Sequence, residues 1–198
     1  MRKTYLLATL IAFLSILPIS LFATQPRLTV VVVVDGMTQD NLNQLRPFWS
    51  AGGLRTLSEE AFQTTIHFPH LVNGGQETTA TRMTGTTPSH HGFMYDQYFD
   101  RLYRTTFDVL YDSQTSGIGT ILQFSPRAIA TTTITDEWRI LHGQNANIYA
   151  IGLQPQATIL LAGHAANACC WLDPSSLKWA TTSCYSEGLP SAADAMNM

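Results

Sequence analysis

A single aspartate, Asp35, follows a run of valines, Val30–Val34, near the start of the sequence. The continuous β-branched run predicts a strand over 27–35 that is buried on both faces, as in a sheet covered by helices. A carboxylate at the carboxyl end of such a strand stands where α/β sheets place their ligands, and there it can hold a divalent metal. The same position also suits an aspartate that caps a helix or closes a turn. Asp35 is therefore a candidate metal ligand, with the capping role as its alternative.

A glycine pair followed by several threonines forms a second group of residues that could take part in catalysis or binding. Gly74 and Gly75 predict a sharp turn, and 76–84 predict a short helix that ends at Gly85. The free N–H groups of such a helix start can receive a phosphate group. A hydroxyl there, such as that of Thr78, can act as a nucleophile if a metal or a base lowers its pKa. The alternative is a threonine-rich helix start that satisfies its own backbone.

The remaining candidates for metal or thiol chemistry are two histidines and three cysteines. Adjacent side chains such as His90 and His91 rarely converge on one ion, so a structural or surface role is favoured. Cys169 and Cys170 are also adjacent and lack the spacing of a zinc site. An odd number of cysteines does not make a disulfide scaffold. In an oxidising compartment Cys184 could pair with Cys169 or with Cys170, and the sequence does not decide whether either disulfide forms.

Strands and helices alternate along the sequence, which predicts an α/β fold. Helices are predicted from Thr38, over 54–61 and from the N-cap Thr133 to Gly143. Thr133 is followed by Asp136 in the first turn, and Ile134, Trp138 and Leu141 mark one face of that helix. The other predicted elements are strands over 62–68, 147–153 and 157–161, a strand pair over 170–173 and 178–185, and an irregular segment over 93–130.

The N-terminus has the pattern of a secretory signal peptide over residues 1–23. Arg2 and Lys3 precede an apolar run over 6–22, and Ala23 offers a small residue at the cleavage point. An uncleaved anchor is the alternative, since the run is near the lower limit for spanning a bilayer. Residues 24–198 then form the exported part, with no further span. The net charge of −3 and the lack of a basic patch argue against a nucleic-acid partner.

Several motifs occur together in the order found in one known family. The chain resembles the alkaline phosphatase superfamily, and in particular the type I phosphodiesterase/nucleotide pyrophosphatase group with its phosphate-irrepressible alkaline phosphatases. The resemblance implies a mixed sheet between helices, and two zinc ions that activate a Ser/Thr nucleophile and clamp the phosphoryl oxygens. It also places Asp35 on the first metal-ligand position. The segments that carry the resemblance are 31–37, 52–54, 84–92, 132–137, 157–164 and 179–185.

The sequence departs from this family at the positions that would bind and attack phosphate. By the resemblance, the nucleophile falls on Gly75, and Thr78 is the nearby hydroxyl that stays a candidate. Asp96 falls on the position of a phosphate-binding Asn, and Gln154 and Gln156 fall on a Lys and an Arg. A carboxylate repels phosphate, and a neutral amide does not replace the cationic fork of arginine.

Two functions remain open after these substitutions. The first is an exported, periplasmic or envelope-located phosphate-ester hydrolase with zinc as its cofactor, represented here by its N-terminal part and without a complete two-zinc site. The second is a catalytically inactive relative that acts as a binding or envelope-associated module. The substrate of the first would be a phosphate ester, and fold resemblance alone does not decide between the two.

Overall fold

The structure is a computed structural model that describes residues 26–71 and 74–198. The chain divides into two compact units, one ending at Thr64 and one running from Thr65 to Met198. In the first unit, helix α1 spans Gln39–Leu45, a 3₁₀ turn spans Arg46–Phe48 and helix α2 spans Leu54–Glu60. Helix α1 starts where predicted, because the Thr38 hydroxyl accepts the Asn41 N–H at 3.1 Å.

Two predicted strands of the first half of the chain are not strands in the structure. Residues 27–34 have no strand ladder, and Val30 and Val32 are 69% and 77% exposed. Residues 62–68 are irregular as well. A β-branched run becomes a buried strand only when neighbouring strands pair with its backbone. The described residues of the first unit supply helices and turns and no strand, so both predictions were wrong.

A four-stranded mixed sheet forms the centre of the second unit. Its strands are β3 (Gly117–Ile118), β4 (Tyr149–Gly152), β5 (Ala168–Leu172) and β6 (Trp179–Thr182), arranged in the order β3-β6-β5-β4. Strands β4 and β5 are parallel, whereas β5 and β6 are antiparallel with Trp171 opposite Ala180. The predicted strand pair and the mixed α/β fold class are thereby confirmed.

A separate hairpin lies in the segment that was predicted to be irregular. Strands β1 (Gln97–Asp100) and β2 (Thr105–Asp108) pair antiparallel, with Tyr98 opposite Phe107. The Asp100 carboxylate accepts the N–H groups of Leu102 and Tyr103 and so stabilises the turn. The prediction failed because both strands are short and largely exposed, and such strands carry little alternation of apolar and polar residues.

The helices of the second unit pack on the sheet and on one another. They are α3 (Gly75–Thr84), α4 (Pro88–His91), α5 (Ile134–His142), α6 (Pro155–Ala162) and α7 (Ser191–Met196), with 3₁₀ turns at Pro126–Ala128 and Gly143–Asn145. Helix α6 replaces the strand predicted over 157–161. Pro155 in its first turn and Gly163 at its end are helix signals. The strand was predicted because a short apolar run can belong to a strand or to a buried helix.

The core lies between helices α3 and α6 and the sheet. Trp171, Phe93 and Ile159 are fully buried there. The predicted apolar face of α5 does not join this core, because Ile134 and Leu141 are 60% and 71% exposed. The buried side of that helix carries Asp136 instead.

The cysteines are free thiols, so neither of the two disulfides left open by the sequence is formed. Cys169 and Cys170 are buried in β5, and Cys184 is exposed after β6. Burial raises the pKa of the Cys169 thiol well above its usual value, which keeps it protonated. Among the residues that the structure describes, no helix is long and apolar enough to cross a bilayer. The predicted signal segment, 1–23, lies outside the described residues.

Candidate functional site

The start of helix α3 is formed by two glycines with left-handed backbone angles. Gly74 has φ 78° and Gly75 has φ 73°, a region that side chains disfavour. Gln76 follows and is 7% exposed, so its backbone N–H is buried at the helix end. This N–H donates a hydrogen bond of 3.0 Å to Oδ1 of Asp96. The helix start therefore already holds an anion from the same chain.

Asp96 lies directly beside the position that the family resemblance assigns to the nucleophile. A Cβ built on Gly75 would lie 2.7 Å from Asp96 Oδ2 and 3.1 Å from Oδ1. The carbonyl of Asp96 accepts hydrogen bonds from Gln76 Nε2 at 3.4 Å and from the Val109 N–H at 3.1 Å. Both the backbone carbonyl and the exposed carboxylate of Asp96 thus contact the start of α3.

A second carboxylate, that of Asp108 at the end of β2, accepts hydrogen bonds from two amide side chains. Its Oδ2 accepts hydrogen bonds of 3.1 Å from Gln76 Nε2 and from Gln156 Nε2. Its Oδ1 accepts the Leu110 N–H at 2.9 Å. Asp108 was not predicted from the sequence. It lies in a weakly patterned segment, where its carboxylate was the only signal of a functional role. We call the set Gly75, Gln76, Asp96, Asp108 and Gln156 the Gly75 cluster.

The predicted phosphate-binding positions thus behave differently from one another. Asp96 and Gln156 both belong to the Gly75 cluster, and their assignment to phosphate-binding positions stays a prediction. Gln154 stands at the N-cap of α6 with an exposed side chain, and its carbonyl accepts the Thr158 hydroxyl at 2.6 Å. The cluster contains two carboxylates and two neutral amides. An anion such as phosphate meets repulsion there and finds no cationic partner among the members of the cluster.

Thr78, the candidate nucleophile, lies about one helical turn beyond Gly75 on α3. Its side chain is buried, and its hydroxyl donates a hydrogen bond of 3.2 Å to Glu77 Oε2. The hydroxyl therefore has a carboxylate partner, which is one element that a hydroxyl nucleophile needs. It has no contact with the carboxylates of the Gly75 cluster among its hydrogen bonds in the described residues. Its role stays a prediction.

A buried polar network lies behind this helix and includes one of the two adjacent histidines. The His91 Nδ1 accepts the Phe93 N–H at 3.1 Å, so its Nε2 carries the proton and donates to Thr81 Oγ1 at 2.9 Å. Thr81 in turn donates to Glu77 Oε1 at 3.3 Å, and His70 Nε2 lies 2.7 Å from the same oxygen.

The network explains why the two histidines do not act as a pair. His91 is fully buried, whereas His90 is exposed and contacts Thr87 at 3.0 Å. Burial lowers the pKa of His91 below 6.5, so the ring is neutral at neutral pH. The structural role that the sequence favoured is thus observed for His91.

Asp35 belongs to the first unit and is exposed. Its Oδ1 accepts the Gly36 N–H at 2.9 Å, which matches the turn role, and it borders an open depression lined by Val34, Met37 and Leu45. The residues present do not fit a zinc centre. Over 26–71 and 74–198, no group of three or more His, Cys, Asp or Glu side chains could hold a metal ion. Metal ligation by Asp35 stays a prediction.

Comparison with known protein families gives one match that covers most of the chain. The sequence model described as type I phosphodiesterase / nucleotide pyrophosphatase matches residues 29–195. Alkaline phosphatase PafA from Elizabethkingia meningoseptica is 26% identical over 171 residues, which cover 84% of this chain and 31% of that protein. A protein named calcium-transporting ATPase from Myroides odoratus is 30% identical over 175 residues, covering 84% of this chain and 31% of that protein.

A third relative and the solved structures agree with this match. Alkaline phosphatase PhoV from Synechococcus elongatus is 26% identical, over 87% of this chain and 32% of that protein. A crystal structure of a quadruple mutant of PafA aligns with a TM-score of 0.74 at 25% identity, covering 83% of this chain and 33% of that chain. The chain thus spans about a third of the length of the relatives it matches. The predicted fold and family resemblance are confirmed.

Proposed function

Since the chain belongs to the type I phosphodiesterase / nucleotide pyrophosphatase family, we propose that it is the N-terminal part of an exported member that has no phosphomonoesterase activity. In this proposal the protein acts as a binding or envelope-associated module. The observation that carries it is the Asp96 carboxylate beside Gly75, at the position where the family resemblance puts the nucleophile. A glycine has no atom that can attack phosphorus, and the carboxylate repels the substrate.

The rest of the Gly75 cluster supports the same conclusion. Gln156 stands where the resemblance implies an arginine, and its amide donates to Asp108 instead of facing an open site. A bidentate guanidinium that neutralises phosphate charge is replaced by a neutral group engaged with a carboxylate. Electrostatic stabilisation of the transferred group is the largest contribution to phosphoryl transfer, so its loss and the loss of the nucleophile reinforce each other.

Export rests on the sequence of residues 1–23, whose basic start, apolar run and small residue at 23 follow the pattern of a signal peptide. We place the protein in the periplasm or cell envelope. Edman sequencing or mass spectrometry of the protein from its native host checks this placement. A mature N-terminus near residue 24 supports it, and a cytoplasmic protein that retains Met1 contradicts it.

Hydrolysis of phosphate esters by the complete protein is the second candidate function. The relatives named alkaline phosphatases favour it, and Thr78 with its Glu77 partner supplies the only hydroxyl we assign to the nucleophile role. Zinc would then supply Lewis-acid activation, with Asp35 as one of its ligands. The described residues do not complete that zinc centre, and we assign no step to it.

One assay separates the two functions. The complete protein, purified in the presence of zinc, is tested on a phosphate monoester, a phosphate diester and a sulfate ester. We expect no turnover above the buffer rate for any of them. Turnover that disappears in Thr78→Val but persists in the control Thr79→Val would establish the hydrolase and overturn the proposal. Zinc content, measured by atomic emission on the wild type and on Asp35→Asn, tests the predicted ligand independently of activity.

A further inference from the structure

We infer that Asp96 is an internal anion that closes the start of helix α3 to phosphate and other external anions, and that Gly75 is the residue that makes room for it. The inference deepens the proposed function and rests on it, because it identifies how the site became unavailable. The substitutions at positions 75 and 96 therefore act as a matched pair and are not independent of each other.

Asp96 accepts a hydrogen bond from the first turn of helix α3. Helix α3 has 10 residues, and its N-cap, Gly74, provides no side chain to accept the first N–H groups. Asp96 Oδ1 accepts the Gln76 N–H at 3.0 Å from a position 20 residues later in the chain. A carboxylate at a helix N-terminus is favourable, since it meets both unpaired N–H groups and the positive end of the helix dipole. An external anion would have to displace it.

The backbone of Asp96 is anchored next to the helix start. Its own carbonyl accepts Gln76 Nε2 at 3.4 Å and the Val109 N–H at 3.1 Å. The same Gln76 Nε2 also donates to Asp108, so one buried glutamine side chain links both acidic residues. The backbone of Asp96 is therefore anchored beside the helix start, and from there its exposed carboxylate reaches the Gln76 N–H.

Gly75 leaves the space beside the helix start that the Asp96 carboxylate occupies. A Cβ at this position would lie 2.7 Å from Asp96 Oδ2 and 3.2 Å from its Cγ, and φ is +73°. A side chain at 75 and the Asp96 carboxylate therefore compete for the same space. A serine or threonine restored at 75 alone would fit only if the exposed Asp96 carboxylate moved away from the helix start.

A thermal unfolding experiment on the complete protein tests the closure. Inorganic phosphate, compared with chloride at equal ionic strength, should leave the unfolding midpoint of the wild type unchanged. In Asp96→Ala it should raise the midpoint by about 3 °C or more at saturation, because ligand binding to the opened helix end stabilises the folded state. Asp100→Ala, which removes a carboxylate from the adjacent strand β1, is the control of equal charge, and phosphate should leave its own midpoint unchanged.

The matched pair is tested by a double-mutant cycle. Gly75→Ala should lower the midpoint of the wild type more than it lowers the midpoint of Asp96→Ala, by about 2 °C or more. Equal losses in both backgrounds would overturn the pairing. If Asp96→Ala does not fold, Asp96→Asn keeps the size of the side chain and removes its charge, and phosphate should stabilise this variant as well.

The outcomes distinguish this inference from the proposed function. Equal stabilisation of wild type and Asp96→Ala by phosphate, or stabilisation of neither, overturns the closure while the protein can still be inactive. Ester hydrolysis by the wild type overturns the proposed function, whatever the midpoints show. Phosphate binding that appears only when Asp96 is replaced, without turnover, supports both.

Discussion

The imidazole of His164 and the carboxylate of Asp136 form an ion pair that joins the end of helix α6 to the first turn of helix α5. Nδ1 of His164 lies 2.8 Å from Asp136 Oδ2, and the backbone N–H of His164 donates to Oδ1 at 2.7 Å. His164 Nε2 lies 3.2 Å from the carbonyl oxygen of Ile129. Both ring nitrogens therefore face acceptors, and the hydrogen bond to Asp136 raises the pKa of the His164 ring. The pair stabilises the loop that follows α6.

The stability of the fold should fall in acid because of Asp136. Burial by itself raises the pKa of this carboxyl, but hydrogen bonds from His164 and Thr133 outweigh it and lower the pKa from 3.8 to about 2. The folded state thus binds the proton less readily than the unfolded state. The contribution of Asp136 is present above about pH 4 and is lost as the pH falls through 2, with a magnitude of about 2 kcal/mol in the free energy of unfolding.

Urea unfolding of wild type and Asp136→Asn between pH 2 and pH 6 measures this contribution. The difference in the free energy of unfolding should be about 2 kcal/mol at pH 5 and should shrink toward pH 2. Glu137→Gln removes a neighbouring carboxylate from the exposed side of the same helix and serves as the control. A difference that is the same at every pH would show that Asp136 acts through packing rather than through its charge.

Two histidines should titrate in opposite directions. Burial lowers the pKa of His91, whereas the hydrogen bond to Asp136 raises the pKa of His164 above 6.5. By linkage, His91 stabilises the fold above pH 6.5 and loses that contribution as the pH falls, and His164 does the reverse as the pH rises. Ring ¹H–¹³C spectra recorded from pH 4 to pH 9 give both values, with His91→Gln and His164→Gln for assignment. A shared pKa near 6.5 for the two rings would refute the prediction.

The helix signals in the sequence were reliable where they were local. Thr133 and Asp136 form a reciprocal capping box at the start of α5, and Gly85 ends α3 with φ 66°, both as the residue types predict. The strand predicted over 27–35 failed, because a strand depends on partners that local sequence does not specify. The Gly75 cluster shows the same difference between local features and features that depend on distant contacts. The family resemblance pointed to Gly75, Asp96 and Gln156, but it could not reveal Asp108, whose role depends on the hairpin that was not predicted.

A methyl group at position 163 should destabilise the fold. A Cβ on Gly163 would lie 2.7 Å from Thr135 Oγ1 and 2.8 Å from Asp136 Oδ1, and its backbone has φ 69° and ψ −160°. Side chains disfavour this backbone region, and the collision disturbs the capping box. We expect Gly163→Ala to lower the free energy of unfolding by about 2 to 4 kcal/mol. Gly143→Ala is the matched control, because Gly143 has a similar backbone conformation, φ 56° and ψ −136°, and its Cβ would meet open space. Equal effects of the two substitutions would contradict the steric argument.

The three thiols should differ in their reactivity in the native state. Cys184 is exposed, whereas Cys169 and Cys170 are buried in β5, and burial raises the pKa of all three thiols. A thiol reacts as its thiolate, so all three react slowly at neutral pH, and access to the reagent separates Cys184 from the buried pair. Ellman's reagent should label one thiol per folded chain and three in denaturant, and Cys184→Ser should abolish the native signal. Rapid labelling of two or more thiols in the native protein would contradict this arrangement.

The hydroxyl of Thr81 should be the most costly of the α3 hydroxyls to remove. It accepts the Nε2–H of His91 and donates to Glu77 Oε1, at 2.9 Å and 3.3 Å, in the interior. Thr81→Val keeps the shape of the side chain but leaves both partners without this hydrogen bond, and we expect a loss of about 2 kcal/mol in the free energy of unfolding. Thr79→Val is the control, since the Thr79 hydroxyl contacts a backbone carbonyl of its own helix, that of Gly75. Thr81→Val also removes the acceptor of the His91 Nε2–H, so it should shift the ring titration of His91, whereas Thr79→Val should not. Equal losses of stability with an unchanged His91 titration would show that the network adds nothing beyond packing.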